Sequence, residues 1–207
     1  MIIVPCERED EARSSLVDLL YESGPDIYDY LYGCTDKSAR DFIRYEYLSG
    51  RGFCGYKALD KTYETEDSDL IIAVSATYGA DIYNKLVLGT LLNVFLFFGP
   101  IKCWPVLMRM LRISSVMSVP KKGEVYLANG AYLPEYRSKG IGGEGLEWYI
   151  ARYREQGVKR LLLDVDQTNP MAQKFYARHG FKVCGSLKFS GKGGEVPDAT
   201  VMEMYLS

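Results

Sequence analysis

Apolar and polar positions alternate with different clarity in the two halves of the chain. "MIIVP" reads as a short strand, and from Glu7 to about Glu22 a helical pattern sets Leu16, Leu19 and Leu20 on one face. "SGPD" at 23–26 breaks that helix, and aromatic and aliphatic residues then recur at three- and four-residue spacing. This predicts helices over Asp26 to Tyr32 and Lys37 to Leu48. "GFCGYKALD" and "DLIIAVSAT" read as strands flanking the acidic turn "KTYETEDSD". The most apolar run, Leu86 to Phe98, is followed by Gly99-Pro100 and a second helical stretch, "CWPVLMRMLRI". At thirteen residues, with Gly89, Thr90 and Asn93 inside, that run is shorter than the ~20 residues of a membrane span. It reads first as a core helix or dimer contact; a substrate-facing lid or a membrane contact are the other readings.

From Gly123 the periodicity sharpens. "EVYLANGAYL" is a strand, "GEGLEWYIARYREQG" an amphipathic helix ended by Gly157, and "VKRLLLDVD" a second strand. "NPMAQKFYARHG" then has Asn169 as a helix cap, Pro170 at the first helical position and Gly180 just past the end. "FKVCGSLKF" and "DATVMEMYLS" close the chain as two strands joined by the glycine-rich loop "SGKGGEVP".

The chain has 207 residues, 47% of them hydrophobic and 25% charged, which suits one folded domain over 1–207 with an apolar helical insertion at about 80–118. A net charge of -2 offers no broad attraction to nucleic acid or anionic lipid, so neither is an expected partner. Cys6, Cys34, Cys54, Cys103 and Cys184 are odd in number and lack C-x-x-C spacing, and His179 is the one histidine. No disulfide framework and no metal site are therefore expected. The early acidic charge of "MIIVPCERED" does not fit a secretory signal, so the expected location is the cytoplasm.

The densest glycine cluster is "RSKGIGGEGL", residues 137–146. Gly140, Gly142 and Gly145 match the dinucleotide fingerprint G-x-G-x-x-G, and Asp164 and Asp166 follow about 20 positions later. Against a dinucleotide site, "PEYRSK" separates Leu133 from the loop, and too little chain remains for further βαβ units. Counted from Arg137 the loop is R-x-x-G-x-G. Such a loop at a helix start turns several backbone N–H groups and the helix dipole toward one anion, and glycine lets phosphate oxygens approach the main chain. A glycine-rich helix start that binds nothing is the bland alternative.

"YLPEYRSKGIGGEGL" together with "LLLDVDQTNPMAQKFYARHGFK" resembles the GCN5-related N-acetyltransferase (GNAT) family over residues 123–183. The resemblance implies an α+β fold in three α/β/α layers, with a mixed, mainly antiparallel sheet splayed between the fourth and fifth strands. It also implies acetyl-CoA as acyl donor. Its pyrophosphate would lie on Arg137, Ser138, Lys139, Gly140, Ile141, Gly142 and Gly143, and its pantetheine arm along Ala131, Tyr132 and Leu133. Tyr176 matches the family's proton donor. Asn169 matches a cofactor contact, although an N-cap role explains it equally. Asp164 and Glu124 are the candidate general bases, each of which is alternatively an ordinary strand carboxylate. The implied activity is acetyl transfer to a primary amine, on a small molecule or a peptide N-terminus, by direct attack in a ternary complex. A non-catalytic acyl-CoA-binding or sensing protein is the alternative, since it would keep the same cradle. Acetyl-CoA and an amine are the expected partners, with a homodimer possible. His179 is read as a structural helix-end residue.

Overall fold

The computed structural model describes residues 2–5, 14–33, 35, 37–55, 59–63, 71–192 and 195–206. Its strands are β1 (Ile2–Pro5), β2 (Leu59–Tyr63), β3 (Ala73–Gly79), β4 (Glu124–Tyr132), β5 (Arg160–Asp166), β6 (Lys182–Leu187) and β7 (Ala199–Tyr205). They form one seven-stranded sheet in the order β1-β2-β3-β4-β5-β7-β6. Every neighbouring pair is antiparallel except β4 with β5. That parallel pair is short: it holds only from Glu124↔Arg160 to Tyr126↔Leu162. Beyond it β4 continues to Tyr132 on β3, and β5 to Asp166 on β7, so the sheet opens into a wedge as the resemblance implies.

Helices α1 (Ser14–Glu22), α2 (Pro25–Tyr32), α3 (Ala39–Ser49) and α5 (Ala80–Ile113) contribute core side chains that pack with one face of the sheet. Helices α6 (Ile141–Glu155) and α7 (Pro170–Arg178) cover the other. Strand alternation sorts the side chains: Leu161, Leu163 and Val165 of β5 pack with α6 and α7, while Leu162 joins Tyr78, Leu86 and Tyr126 on the α5 side. Leu161 and Leu163 are essentially inaccessible, and each fully buried leucine contributes about 1.5–3 kcal/mol.

The helix ends follow local chemistry. The Ser38 hydroxyl accepts from the Asp41 amide while the Asp41 carboxylate reaches back, closing a capping box on α3, and Gly50 ends that helix at φ 64°. Asn169 caps α7 by accepting from the Ala172 amide at 3.0 Å. Glu7 to Arg13, expected as the first turns of α1, lie outside the described residues.

Two expectations are corrected. The start of "GFCGYKALD" is a helical turn, α4 (Gly52–Gly55), and its end, Leu59 and Asp60, belongs to β2, which runs on into the expected turn as far as Tyr63. The cause is tertiary. Gly52 has φ 76°, and a Cβ on Gly89 would come within 2.5 Å of the Gly52 nitrogen, so the turn is pressed onto α5. The buried Glu46 carboxylate accepts from the Cys54 amide at 3.1 Å and from Asn93 Nδ2 at 3.3 Å, which ties α3, α4 and α5 together.

The two apolar helices expected on either side of Gly99-Pro100 form the single long α5, kinked at Gly99, whose φ of 77° is non-helical. Its core face is Leu86, Thr90, Asn93, Val94 and Phe98, then Cys103, Val106 and Ile113. Its other face is exposed, so only one face of the helix packs into the core. With the short turn that follows, 80–116 is long and apolar enough to cross a membrane, at mean hydropathy 1.8 in its most apolar window, of which a third is buried.

Candidate active site

Between η-turn Pro134–Tyr136 and α6 the chain makes two left-handed turns: Ser138 has φ 62° and Gly140, the residue capping α6, has φ 86°. At Ser138 this conformation costs a non-glycine residue about 1–2 kcal/mol. The Gly143 and Glu144 amides fold onto the Gly140 carbonyl at 2.9 and 3.2 Å, which leaves the amides just before them at the open helix end. A Cβ on Gly140 would meet nothing within 4 Å, so the space in front of the loop is free for a ligand. Gly142 is closer set: its Cβ would meet Phe175 at 3.5 Å and Tyr132 at 3.7 Å. Gly145 is buried and lines the cleft below.

Arg137 does not point freely outward. Its Nε donates to the Tyr132 carbonyl at 2.9 Å, fastening the loop to the end of β4, and a guanidinium nitrogen lies 3.9 Å from Glu22, a half-exposed pair of small energetic weight. The exposed Lys139 ammonium sits 5.1 Å over the Tyr136 ring.

From this loop a narrow cleft runs under α6 and α7 along β3 and β4. Gly130 and Tyr132 line it with Ser75, Thr77, Tyr149 and Tyr176. Ala131, Tyr132 and Leu133, the expected thioester-arm positions, run beside β3 and the Ile72 carbonyl on one edge, and the Tyr132 carbonyl also accepts from Arg137. Past Tyr126 the other edge of β4 has no β5 partner, so its main-chain groups face the wedge. A bulge between Ser75 and Ala76 leaves Asn129 as the extra residue on β4.

The three residues expected to do chemistry are placed differently. Tyr176 lines the cleft, and burial alone raises its pKa. The Tyr132 pKa is raised to about 12, by burial and then by Tyr176 nearby. Asp164 lies two residues past the last β4–β5 pairing, on the opposite face of the sheet from Tyr176. Its carboxylate accepts from the Ser118 amide and hydroxyl, each at 2.6 Å, and from the Tyr126 hydroxyl at 2.9 Å. Burial raises its pKa despite these donors. Glu124 sits at the closed end of the wedge, 2.5 Å from Arg160, which also pairs with Glu203 at 2.6 Å. Thus Tyr176 and Asp164 flank the wedge from opposite faces, and Glu124 is held in a structural ion-pair ladder.

Asn169 is engaged as the α7 cap, and His179 donates from Nδ1 to the Phe175 carbonyl at 2.8 Å. Among the described residues no three His, Cys, Asp or Glu side chains gather as a metal site.

Sequence reading missed Ser118, Tyr126 and Tyr78. Tyr126 is fully buried and its hydroxyl links Asp164 to the wedge, its pKa held well above the usual tyrosine value by burial and then by Asp164. The Tyr78 ring lies tilted against Tyr126, centroids 5.2 Å apart, and its buried hydroxyl has no hydrogen-bond partner among the described residues. Their only sequence signal was a tyrosine at inward positions of two strands, which core packing explains as well.

The sequence profile of the acetyltransferase (GNAT) family matches residues 97–181. Uncharacterised N-acetyltransferases of Mycobacterium tuberculosis and Mycobacterium bovis are 35% identical over 66 residues, covering 32% of this chain and 42% of theirs. The matched stretch is thus under half the length of those relatives. The fold is shared with the N-acetyltransferase from Staphylococcus aureus Mu50, at TM-score 0.70 and 17% identity over 99% of this chain and 100% of that one. It is shared also with the ribosomal-protein-S18-alanine N-acetyltransferase from Escherichia coli, at TM-score 0.53 and 17% identity over 100% and 94% of the two chains.

Proposed function

From the acetyltransferase (GNAT) match over residues 97–181 and the shared fold, we propose that this chain is an acetyltransferase of that family and transfers the acetyl group of acetyl-CoA to a primary amine within a ternary complex. The observation that carries the reading is the continuity of the Ser138–Gly143 loop, the open edge of β4 and the Tyr176-lined cleft. The residues fit the cofactor: two left-handed turns aim main-chain amides at one point, and the space before Gly140 is free. Ser138 to Gly143 hold the pyrophosphate, Arg137 braces their loop on Tyr132, and Ala131 to Leu133 offer main-chain partners to the arm. When bound, acetyl-CoA supplies an activated thioester.

The chain's own groups then divide the proton work. Tyr176 keeps its proton because burial disfavours the phenolate, so it can donate one to a departing thiolate. Asp164 faces the wedge from the other side and accepts the amine's proton, directly or through a water. Burial sets its pKa above the usual carboxylate range, which brings the base nearer to working pH. The aromatic surround of Tyr78, Tyr83 and Tyr126 beside Asp164 suits a cationic amine before it loses its proton.

The test is thiol release from acetyl-CoA with a panel of alkylamines, arylalkylamines and peptides with free N-termini. Release that depends on the acceptor supports the transferase. Tight CoA binding with no release for any acceptor would replace it by an acyl-CoA-binding or sensing protein.

A further inference from the structure

Helix α5 carries a long exposed apolar face. Ile101 is 84% exposed, Leu111 68%, Trp104 67% and Leu88 66%, and Phe95 and Leu92 between them are about half exposed. Nine such side chains lie along the helix from Leu88 to Leu111. At roughly 100 Å² apiece they expose on the order of 900 Å² of apolar surface, beyond the ~300–600 Å² of the largest patch on a typical monomer. The figure matches the ~800 Å² that each partner contributes to a standard protein interface.

We propose that this face is covered by a second copy of the chain, with the two α5 helices packed antiparallel about a two-fold axis. Area is the first argument, since an isologous contact buries the patch on both copies at once. Charge is the second. Asp81 stands exposed at the start of α5 and Arg112 exposed at its end, so an antiparallel pair sets each Asp81 beside the other copy's Arg112, twice over. A parallel pair would instead bring like charges together at both ends. The midpoint between 81 and 112 falls near residue 97, close to the kink at Gly99, so the two bends would lie at the same level. An anionic bilayer is the other surface that apolar side chains flanked by Lys85, Lys102 and Arg112 suit, and the chain's net charge of -2 weighs against it. The proposal is independent of the acetyl-transfer reading.

The experiment measures the mass of the full chain by light scattering after gel filtration, without detergent, at about 10 µM, where a sub-micromolar pair stays associated. The expected mass is twice 23.4 kDa. The double variant Ile101→Glu, Trp104→Glu removes no core contact, so it should run at half the wild-type mass with an unchanged far-ultraviolet circular dichroism spectrum. Asp81→Arg and Arg112→Asp should each weaken the dimer at least tenfold, and the two combined should restore it. A monomeric wild type overturns the proposal, as does a monomer that co-floats with phosphatidylglycerol vesicles but not with phosphatidylcholine ones. Failure of the combined charge swap to restore the dimer rules out the antiparallel arrangement.

Discussion

Replacing Tyr176 by phenylalanine removes one oxygen from the wall of the cleft and nothing else. No hydrogen bond to that hydroxyl exists among the described residues, and burial is the one influence on its ionisation. Deleting an unpartnered, largely buried hydroxyl leaves folding stability within ~0.5 kcal/mol, because no acceptor or donor is orphaned. The ring contacts with Phe175 at 5.2 Å and Phe181 at 5.7 Å remain. Binding through the Ser138–Gly143 amides is untouched, since it does not use this side chain. The chemical step loses its acid, and positioned proton transfer is worth about 10²–10⁴-fold. That range corresponds to ~2.7–5.5 kcal/mol of barrier. Thus kcat should fall by two to four orders of magnitude, while the CoA dissociation constant by calorimetry and the melting temperature stay near wild type. The sign with pH follows from burial: a raised phenol pKa keeps the acid protonated through the ordinary tyrosine range, so wild-type turnover should show no alkaline loss from this group below about pH 10. Wild-type kcat in the variant sinks the assignment; equal losses in kcat and CoA affinity would make Tyr176 a binding residue.

Gly140→Ala places a Cβ at φ 86° in open space, so the protein should lose about 1–2 kcal/mol by thermal or urea melting through backbone strain alone. CoA affinity should fall further than that, at least tenfold by calorimetry, because the methyl occupies the phosphate approach; an unchanged affinity would move the cradle elsewhere. Asp164→Asn should remove the acid limb of the kcat/KM profile, which in the wild type lies above the usual carboxylate range, since activity is lost as pH falls through the raised pKa. The same raised pKa means that ionisation of Asp164 opposes folding: its stabilising share is full below the unfolded carboxyl value of ~3.9 and is lost as pH rises through the folded one. A pH profile identical to wild type in the variant would leave Asp164 as an anchor for Ser118 only.

What the sequence by itself determined was local. Helix ends obey short-range chemistry, so Asn169, Pro170 and Gly180 mark α7 without reference to the rest of the chain, and the glycines of 140–143 mark the left-handed turn that opens α6. The position of Tyr176 on that helix was legible for the same reason, as one letter in a contiguous helix pattern, and the fold sets it in the wall of the cleft. The tertiary structure alone decided how the two candidate carboxylates are held. Asp164 and Glu124 look alike in one-letter code, yet one lies past the last β4–β5 pairing and the other is clamped by Arg160, thirty-six positions away. It also turned "GFCG" from strand into helix by pressing Gly52 onto Gly89, and it welded two apolar segments into α5 with one long face unburied. Periodicity reports which side chains share a face, whereas burial depends on what distant chain arrives to cover that face. That is a non-local free energy, and no short window of sequence contains it.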